Sequence, residues 1–168
     1  MNKSNKRSDQ GSKYFTLAGL KFATCCSGTK YENRDDLLLM VLDPGSHICA
    51  CFTASTMPSA PVIWSKENNK KAQNLKQKIV LLINAGNANA FTGEDGLLAC
   101  KEKAATLSKI FKCERENIFF ASTGVIGEKL PHKKIIQHFS YLQKNLSSNN
   151  FKNASYSILT TDLKPKIY

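Results

Sequence analysis

The sequence predicts a mixed α/β fold of the α+β type, built from layers of sheet and helix. Two apolar runs, Leu37–Leu42 and Ile79–Ile83, are typical of strands that are buried on both faces. A third, shorter apolar run follows Asn117. Between the second and third runs, residues 94–111 carry apolar side chains at helical spacing. We therefore expect a strand, a helix and a further strand in succession at the centre of the chain.

Shorter patterns predict the remaining elements. A strand is expected within Phe15–Cys26, with apolar anchors that include Phe15 and Leu17. The turn signal at residues 43–45 predicts a hairpin whose returning strand is His47–Thr53. The polar residues 66–77 predict an exposed helix or loop. Pro131 stands where another helix is expected to start, and residues 147–150 are expected to end that helix.

The chain is basic, with a formal net charge of +11 over 168 residues. A nucleic-acid or acidic partner is compatible with such a charge. The lysines, however, are scattered among asparagines, without an aromatic-interleaved basic motif or zinc-finger spacing. We interpret them as a solvated surface and predict no nucleic-acid partner. On the central helix, the side chains expected to face water are those of Lys101, Lys103 and Lys109.

Length and polarity bound the organisation of the chain. Residues 1–13 are polar and basic, so we predict a disordered tail followed by one domain over residues 14–168. No apolar run approaches the roughly 20 residues that a membrane-spanning helix needs, and we predict no membrane partner. The hydrophobic content of 42% is typical of a globular protein.

Cysteines and histidines do not form a metal-binding pattern. The chain has six cysteines but no Cys-x-x-Cys pair, and no histidine stands at zinc-ligand spacing, so we predict no metal. Since we find no secretory signal, we expect buried, reduced thiols. No local motif supports a catalytic pair of a cysteine nucleophile and a histidine. We interpret the adjacent acids at 35–36 as turn residues and those at 94–95 as residues at the start of a helix.

Two uncharged, glycine-containing loops follow the predicted strands. The first is Asn84–Gly93, with the sequence Asn-Ala-Gly-Asn-Ala-Asn-Ala-Phe-Thr-Gly. The second is Ser122–Gly127, with the sequence Ser-Thr-Gly-Val-Ile-Gly. Small side chains let a backbone or a ligand approach closely, and asparagine amides both donate and accept hydrogen bonds. The first loop is either an internal corner or part of a site, and we expect the two loops to converge at one end of a sheet.

These loops and two further segments resemble one known family. The further segments are Phe52-Thr53 followed by Ala60-Pro61-Val62, and Thr160-Thr161-Asp162 followed by Pro165-Lys166. In this order, the four resemble segments of the ornithine acetyltransferase / N-acetylglutamate synthase family of arginine biosynthesis. That family carries Asn-Ser-Gly-Asn-Ala-Asn-Ala-Cys-Thr-Gly and Ser-Thr-Gly-Val-Ile-Gly at the two loops. The resemblance extends from about Ala18 to the C-terminus.

The resemblance implies a layered fold, similar to that of self-processing aminopeptidases, which a β chain completes. It implies an oxyanion hole at Thr123 and Gly124, and a hydroxyl and a glycine N–H are suitable donors for that role. It also implies substrate binding by Thr160, or by its neighbour Thr161. The residues that it assigns to the architecture of the site are Asn84, Gly86, Asn87, Asn89, Thr92 and Gly93.

The family moves an acetyl group from N-acetylornithine to glutamate, and some members also use acetyl-CoA; no organic cofactor or metal is implied. The precursor cleaves itself, and the new N-terminal threonine of the β chain is the nucleophile. The family's cleavage segment, Lys-Gly-x-Gly-Met-x-x-Pro-x-Met-Ala-Thr-Met-Leu, has no counterpart in these 168 residues. We therefore expect this chain to be the α-chain part of an α2β2 assembly and to be inactive alone. We expect the assembly in the cytoplasm or, in a eukaryote, in the mitochondrial matrix.

Some residues differ from the family pattern. Ala85 and Phe91 stand where the family has Ser and Cys, and residues 53–55 replace Thr-Thr-Asn. These departures leave open a truncated, non-catalytic remnant that acts as a binding or partner-association module. A nucleic-acid-binding domain and a self-processing aminopeptidase of similar fold are two further classes of protein that the sequence leaves open.

Overall fold

Four strands form one sheet in the computed structural model, which describes residues 16–71 and 74–166. In spatial order the strands are β1 (Leu20–Cys25), β2 (Leu37–Leu42), β3 (Ile79–Asn87) and β4 (Ile118–Val125). The β1–β2 and β2–β3 pairs are antiparallel, whereas β3 and β4 are parallel. The disordered tail predicted for residues 1–13 lies outside the described residues.

Five α-helices accompany the sheet in the described part of the chain. They are α1 (Ala60–Lys70), α2 (Gly93–Phe111), α3 (His132–Gln137), α4 (Phe139–Lys144) and α5 (Phe151–Ser157). Because parallel strands need a crossover connection, α2 links β3 to β4, as the central part of the sequence predicted. None of the helices in the described ranges is long and apolar enough to cross a membrane.

The sheet lies between helices. On one face, Leu39 of β2 and Leu82 of β3 belong to the main core, to which α1, α2, α3 and α4 contribute buried side chains. On the opposite face, Leu38 packs in a smaller cluster with Phe22 and Ala154, the last from α5. Leu38 and Leu39 are both buried, so β2 is covered on both faces. The predicted mixed α/β layered fold is confirmed.

The predicted hairpin after the turn at residues 43–45 is wrong. Residues 46–55 have no regular secondary structure, and the expected strand His47–Thr53 does not form. β2 pairs with β1 on one edge and with β3 on the other, so neither edge is free for a further strand. The hairpin instead joins β1 to β2, and residues 26–36 connect them.

Other boundaries also differ from the prediction. α1 begins at Ala60, upstream of the polar residues 66–77 that were predicted to form a helix or loop, and Pro61 in its first turn is compatible with a helix start. A helix does follow Pro131, but it is divided into α3 and α4 at His138. Leu17 is exposed rather than an anchor of the first strand, and Phe15 lies outside the described residues.

The expectation that Lys103 faces water is wrong. Only 1% of the residue is exposed, and its Nζ lies 4.5 Å from the centroid of the Phe120 ring. Burial lowers the pKa of the Lys103 amine from its ordinary value. Lys103 follows Cys100 by three residues and precedes Leu107 by four, so it lies on the helix face that packs in the core. Lys101 and Lys109 are exposed, as expected.

The cysteines are only partly as expected. Cys25, Cys100 and Cys113 are buried, whereas Cys49 and Cys51 are exposed, so the prediction of buried thiols is wrong for the latter two. Burial raises the pKa of Cys25 to about 12, with further contributions from the nearby acids, and it raises the pKa of Cys113 to about 11. Thiols with such pKa values stay protonated near neutral pH and are poor nucleophiles.

Candidate functional site

The two uncharged segments meet where β3 and β4 end. The register aligns Asn84 with Ser122 and Gly86 with Gly124. Both strands run further than the sequence predicted, since β3 continues to Asn87 and β4 to Val125. The first part of each predicted loop is therefore strand. The predicted convergence at one end of the sheet is confirmed, because parallel neighbours end at the same edge.

Close backbone approach explains two glycines at this edge. Gly124 has φ +135°, and a Cβ built on it would lie 2.6 Å from Gly86 Cα. Gly86 has φ +97°, and a Cβ there would lie 2.6 Å from the Cβ of Lys30. A side chain at either position would therefore push apart the two strands, or β3 and the turn that carries Lys30.

A cavity of about 420 Å³ opens at this end of the sheet. Thr123, Gly124 and Thr160, which the sequence singled out for catalysis and substrate binding, all line it. Thr160 comes from the segment after α5, so the fold brings together residues that are far apart in the chain. The other lining residues are Lys30, Tyr31, Gly86, Val125 and Thr161.

Arg34 connects two sides of this cavity. Its guanidinium donates a hydrogen bond to the carbonyl oxygen of Leu159, the residue before Thr160. The same guanidinium carbon lies 4.1 Å from the centroid of the Tyr31 ring. One side chain thus joins the turn between β1 and β2 to the segment that carries Thr160. No local pattern in the sequence predicts this contact, since the two partners are 125 residues apart.

The turn itself is built on a buried carboxylate. Asp36 is fully buried, and it accepts a hydrogen bond of 2.6 Å from the Ser27 backbone N–H and one of 3.3 Å from the Thr29 hydroxyl. Asp36 also pairs with the sheet, because its own carbonyl accepts a hydrogen bond from the N–H of Ala85. This turn, which includes Lys30, is therefore ordered by the strands and is not a free surface loop.

The asparagines of the first segment have partners within the protein. The Ser122 hydroxyl donates to the side-chain oxygen of Asn84 at 2.6 Å, and the Asn84 amide donates to the carbonyl of Asn87 at 2.8 Å. Asn89 donates to the carbonyl of Gly96 at 3.1 Å and accepts from the Thr92 hydroxyl at 3.1 Å. These contacts tie the two strand ends to the start of α2.

Of the residues assigned to site architecture, all of which lie in the described ranges, only Gly86 lines the cavity. Asn87 donates to the carbonyl of Glu128 at 3.0 Å, beyond the second segment. Gly93 is exposed at the first position of α2 and contributes to a separate, more apolar groove of about 610 Å³. Four residues of the preceding segment line that groove and not the cavity: Thr56, Met57, Pro58 and Ala60.

Among the described residues, Lys30 is the charged side chain that lines the cavity. Its Nζ lies 3.7 Å from a carboxylate oxygen of Glu128, and both side chains are about half exposed. Within residues 16–71 and 74–166, no three His, Cys, Asp or Glu side chains are arranged to hold a metal ion. The arrangement therefore offers hydroxyls, a strand-end glycine and a cation.

Comparison with known proteins identifies one family that matches most of this chain. The ArgJ family profile matches residues 21–168. The "Arginine biosynthesis bifunctional protein ArgJ" of Gluconobacter oxydans is 38% identical over 151 residues, which cover 90% of this chain and 35% of that protein. Its counterpart from Nitrobacter winogradskyi is 39% identical, with 90% and 36% covered. The chain thus spans about a third of the length of these curated relatives.

Solved structures agree with the assignment. The arginine biosynthesis bifunctional protein ArgJ of Bacillus halodurans superposes with a TM-score of 0.77 at 27% identity, covering 88% of this chain and 75% of the solved one. The ornithine acetyltransferase of Mycobacterium tuberculosis, solved in complex with ornithine, gives a TM-score of 0.77 at 26% identity, with 88% and 79% covered. Sequence and fold together show that the chain belongs to the ArgJ family.

Proposed function

We propose that this chain is the α-chain part of a glutamate N-acetyltransferase that moves acetyl from N-acetylornithine to glutamate in the cytoplasm. The observation that carries the proposal is the common cavity of Thr123, Gly124 and Thr160. In this assignment Thr123 and Gly124 form the oxyanion hole, and Thr160 or Thr161 contacts the substrate. Family membership and the solved complex of a relative with ornithine support this class of substrate.

The chemistry needs two donors aimed at one oxygen. A nucleophile attacks the acetyl carbonyl, and the carbonyl oxygen takes up negative charge until ornithine leaves as the amine. The Thr123 hydroxyl and the Gly124 N–H are the proposed donors to that oxygen. Thr123 is half-buried and Gly124 is exposed at the cavity, which supports the access of a substrate oxygen to both donors.

The proposed nucleophile is the N-terminal threonine of a β chain, in an α2β2 assembly. The amine of glutamate would then attack the acetyl-threonine ester, and the product would leave the site as N-acetylglutamate. The chain covers 75% and 79% of the two solved chains but about a third of the curated relatives, which supports a precursor divided into two chains. Near the cavity, Val125 and Ile126 are exposed and are suitable for contact with such a partner.

Reconstitution tests the proposal. The chain is joined to the downstream two-thirds of the Gluconobacter oxydans relative, and transfer of labelled acetyl from N-acetylornithine to glutamate is measured. We expect transfer by the joined protein, and none by the isolated chain, which should also bind a hydrophobic dye. Acetyl-CoA is assayed as a second donor.

The full-length relative is the positive control. A folded joined protein that transfers no acetyl, beside an active relative, would contradict the proposed enzyme and favour a non-catalytic binding module. Robust turnover by the isolated chain would contradict the assignment of the nucleophile to a β chain.

A further inference from the structure

The turn between β1 and β2 contributes a cation to the cavity. This cation lies outside all four segments that carry the family resemblance. Lys30 lines the cavity together with Thr123, Gly124 and Thr160, and it is the charged member of the described lining. In the proposed function, the donor and the acceptor share one ionised group, the α-carboxylate beside the reacting α-nitrogen. A cation near the oxyanion donors is therefore in the region where both substrates carry the same negative charge.

The present partner of Lys30 leaves it available. The Nζ–Oε2 distance to Glu128 is 3.7 Å, which is longer than a good charge-assisted hydrogen bond. The two side chains are 42% and 56% exposed, and pairs of this kind contribute little to stability. A substrate carboxylate that enters the cavity can replace Glu128 without disrupting a buried interaction.

The backbone of Lys30, in contrast, is held in place. Gly86 has no side chain, and this absence lets the Lys30 Cβ approach β3 closely. Asp36 orders the same turn through Ser27 and Thr29, and Arg34 joins it to Leu159. A mobile ammonium on a fixed backbone position is suited to bind two related substrates in turn.

Resting on the proposed function, we propose that Lys30 binds the α-carboxylate of both the acetyl donor and the acetyl acceptor at the cavity lined by Thr123, Gly124 and Thr160. It is a specificity-determining residue, which selects α-amino acids over amines that lack a carboxylate. In the absence of substrate, Glu128 pairs with Lys30. The substrate carboxylate then displaces Glu128 from this pair.

Kinetics of the joined protein test this role. Lys30→Met should raise the KM for N-acetylornithine and for glutamate by about 10- to 100-fold, as for a lost hydrogen bond to a charged group, with kcat changed little. Lys30→Arg should retain most of the affinity. With the α-carboxamide of N-acetylornithine as donor, wild type and Lys30→Met should have equal kcat/KM, a result that a merely structural role would not produce.

Two neighbouring variants are matched controls. Lys129→Met removes a nearby exposed lysine that pairs with Asp95 at 2.9 Å and does not line the cavity, so it should leave both KM values unchanged. Glu128→Gln frees Lys30 and should leave these values unchanged or lower them. An unchanged KM in Lys30→Met, or an equal loss with the carboxamide donor, would overturn the proposal.

Calorimetry separates this proposal from the function on which it rests. Binding of N-acetylornithine to the joined protein needs no turnover, and Lys30→Met should weaken it by the same factor as it raises KM. If the joined protein binds N-acetylornithine, and Lys30→Met weakens this binding, but no acetyl is transferred, the result counts against the proposed reaction alone. Normal transfer with Lys30-independent binding would count against the role of Lys30 alone.

Discussion

Gly124 and Gly86 stand opposite each other on parallel strands, so closely that a Cβ on Gly124 would lie 2.6 Å from the Cα of Gly86. The contact is between backbones, which cannot yield as a flexible side chain can. This glycine pair lies directly beside Thr123 and determines how closely the ends of β3 and β4 approach.

Gly124→Ala should therefore destabilise the fold by about 3 kcal/mol or more, since it adds a steric clash to an unfavourable backbone conformation. The matched control is Gly127→Ala, where φ is +83° and no atom outside the glycine and its two chain neighbours lies within 4 Å of the added Cβ. That variant should lose only about 1 kcal/mol, from backbone strain. Urea denaturation of both variants measures the difference, and equal losses would contradict the close approach.

Thr123→Ala should lower kcat of the joined protein about 100-fold or more, because one donor to the oxyanion is lost. Thr123→Ser keeps the hydroxyl and should retain most of the turnover. Steady-state acetyl transfer measures both variants, with circular dichroism as the check on folding. Turnover of Thr123→Ala equal to wild type would remove Thr123 from the oxyanion hole.

Lys103→Met should stabilise the protein at pH 7 by on the order of 1 kcal/mol, since methionine fills a similar volume without a buried amine. Burial lowers the pKa of Lys103 in the folded state below its ordinary 10.5. Between the folded-state value and 10.5, the unfolded chain binds a proton that the folded chain does not. Stability should therefore rise with pH through this window and be independent of Lys103 titration below it.

Denaturation of wild type and Lys103→Met at a series of pH values measures this effect. The advantage of the methionine variant should shrink as pH rises toward 10.5. Lys101→Met, at an exposed position of the same helix, should show no such trend. A constant difference between wild type and Lys103→Met would show that Lys103 does not titrate as a buried amine.

Nucleic acid should bind the chain only weakly, despite the formal charge of +11. Scattered lysines attract phosphates through counterion release, without reading the bases, so association should fade steeply as salt rises. Filter binding of DNA and RNA duplexes of different sequence, at moderate salt, measures this. Tight binding that discriminates between sequences would restore the nucleic-acid interpretation.

Local patterns were sufficient to predict the elements whose burial shows in their own residues. The runs at 37–42 and 79–83 are strands because apolar residues on both faces are covered by helices. The spacing of apolar residues in 94–111 predicted α2. The expected strand His47–Thr53 failed, because a turn signal is local whereas pairing depends on which strand edges are free. The predicted exposure of Lys103 was wrong for a similar reason. Its charge favours an exposed side chain, whereas its position on the helix places it in the core.

By itself, the sequence of this protein determined the strand–helix–strand centre and the motifs that contain Thr123, Gly124 and Thr160. These features depend only on residues that are close together in the sequence. Only the tertiary structure decided that these three residues share one cavity. It also added Lys30 and Arg34, polar turn residues whose partners, Glu128 and the carbonyl of Leu159, are distant in sequence. Contacts across such distances depend on how β1, β4 and the end of the chain pack, and no local pattern records that packing.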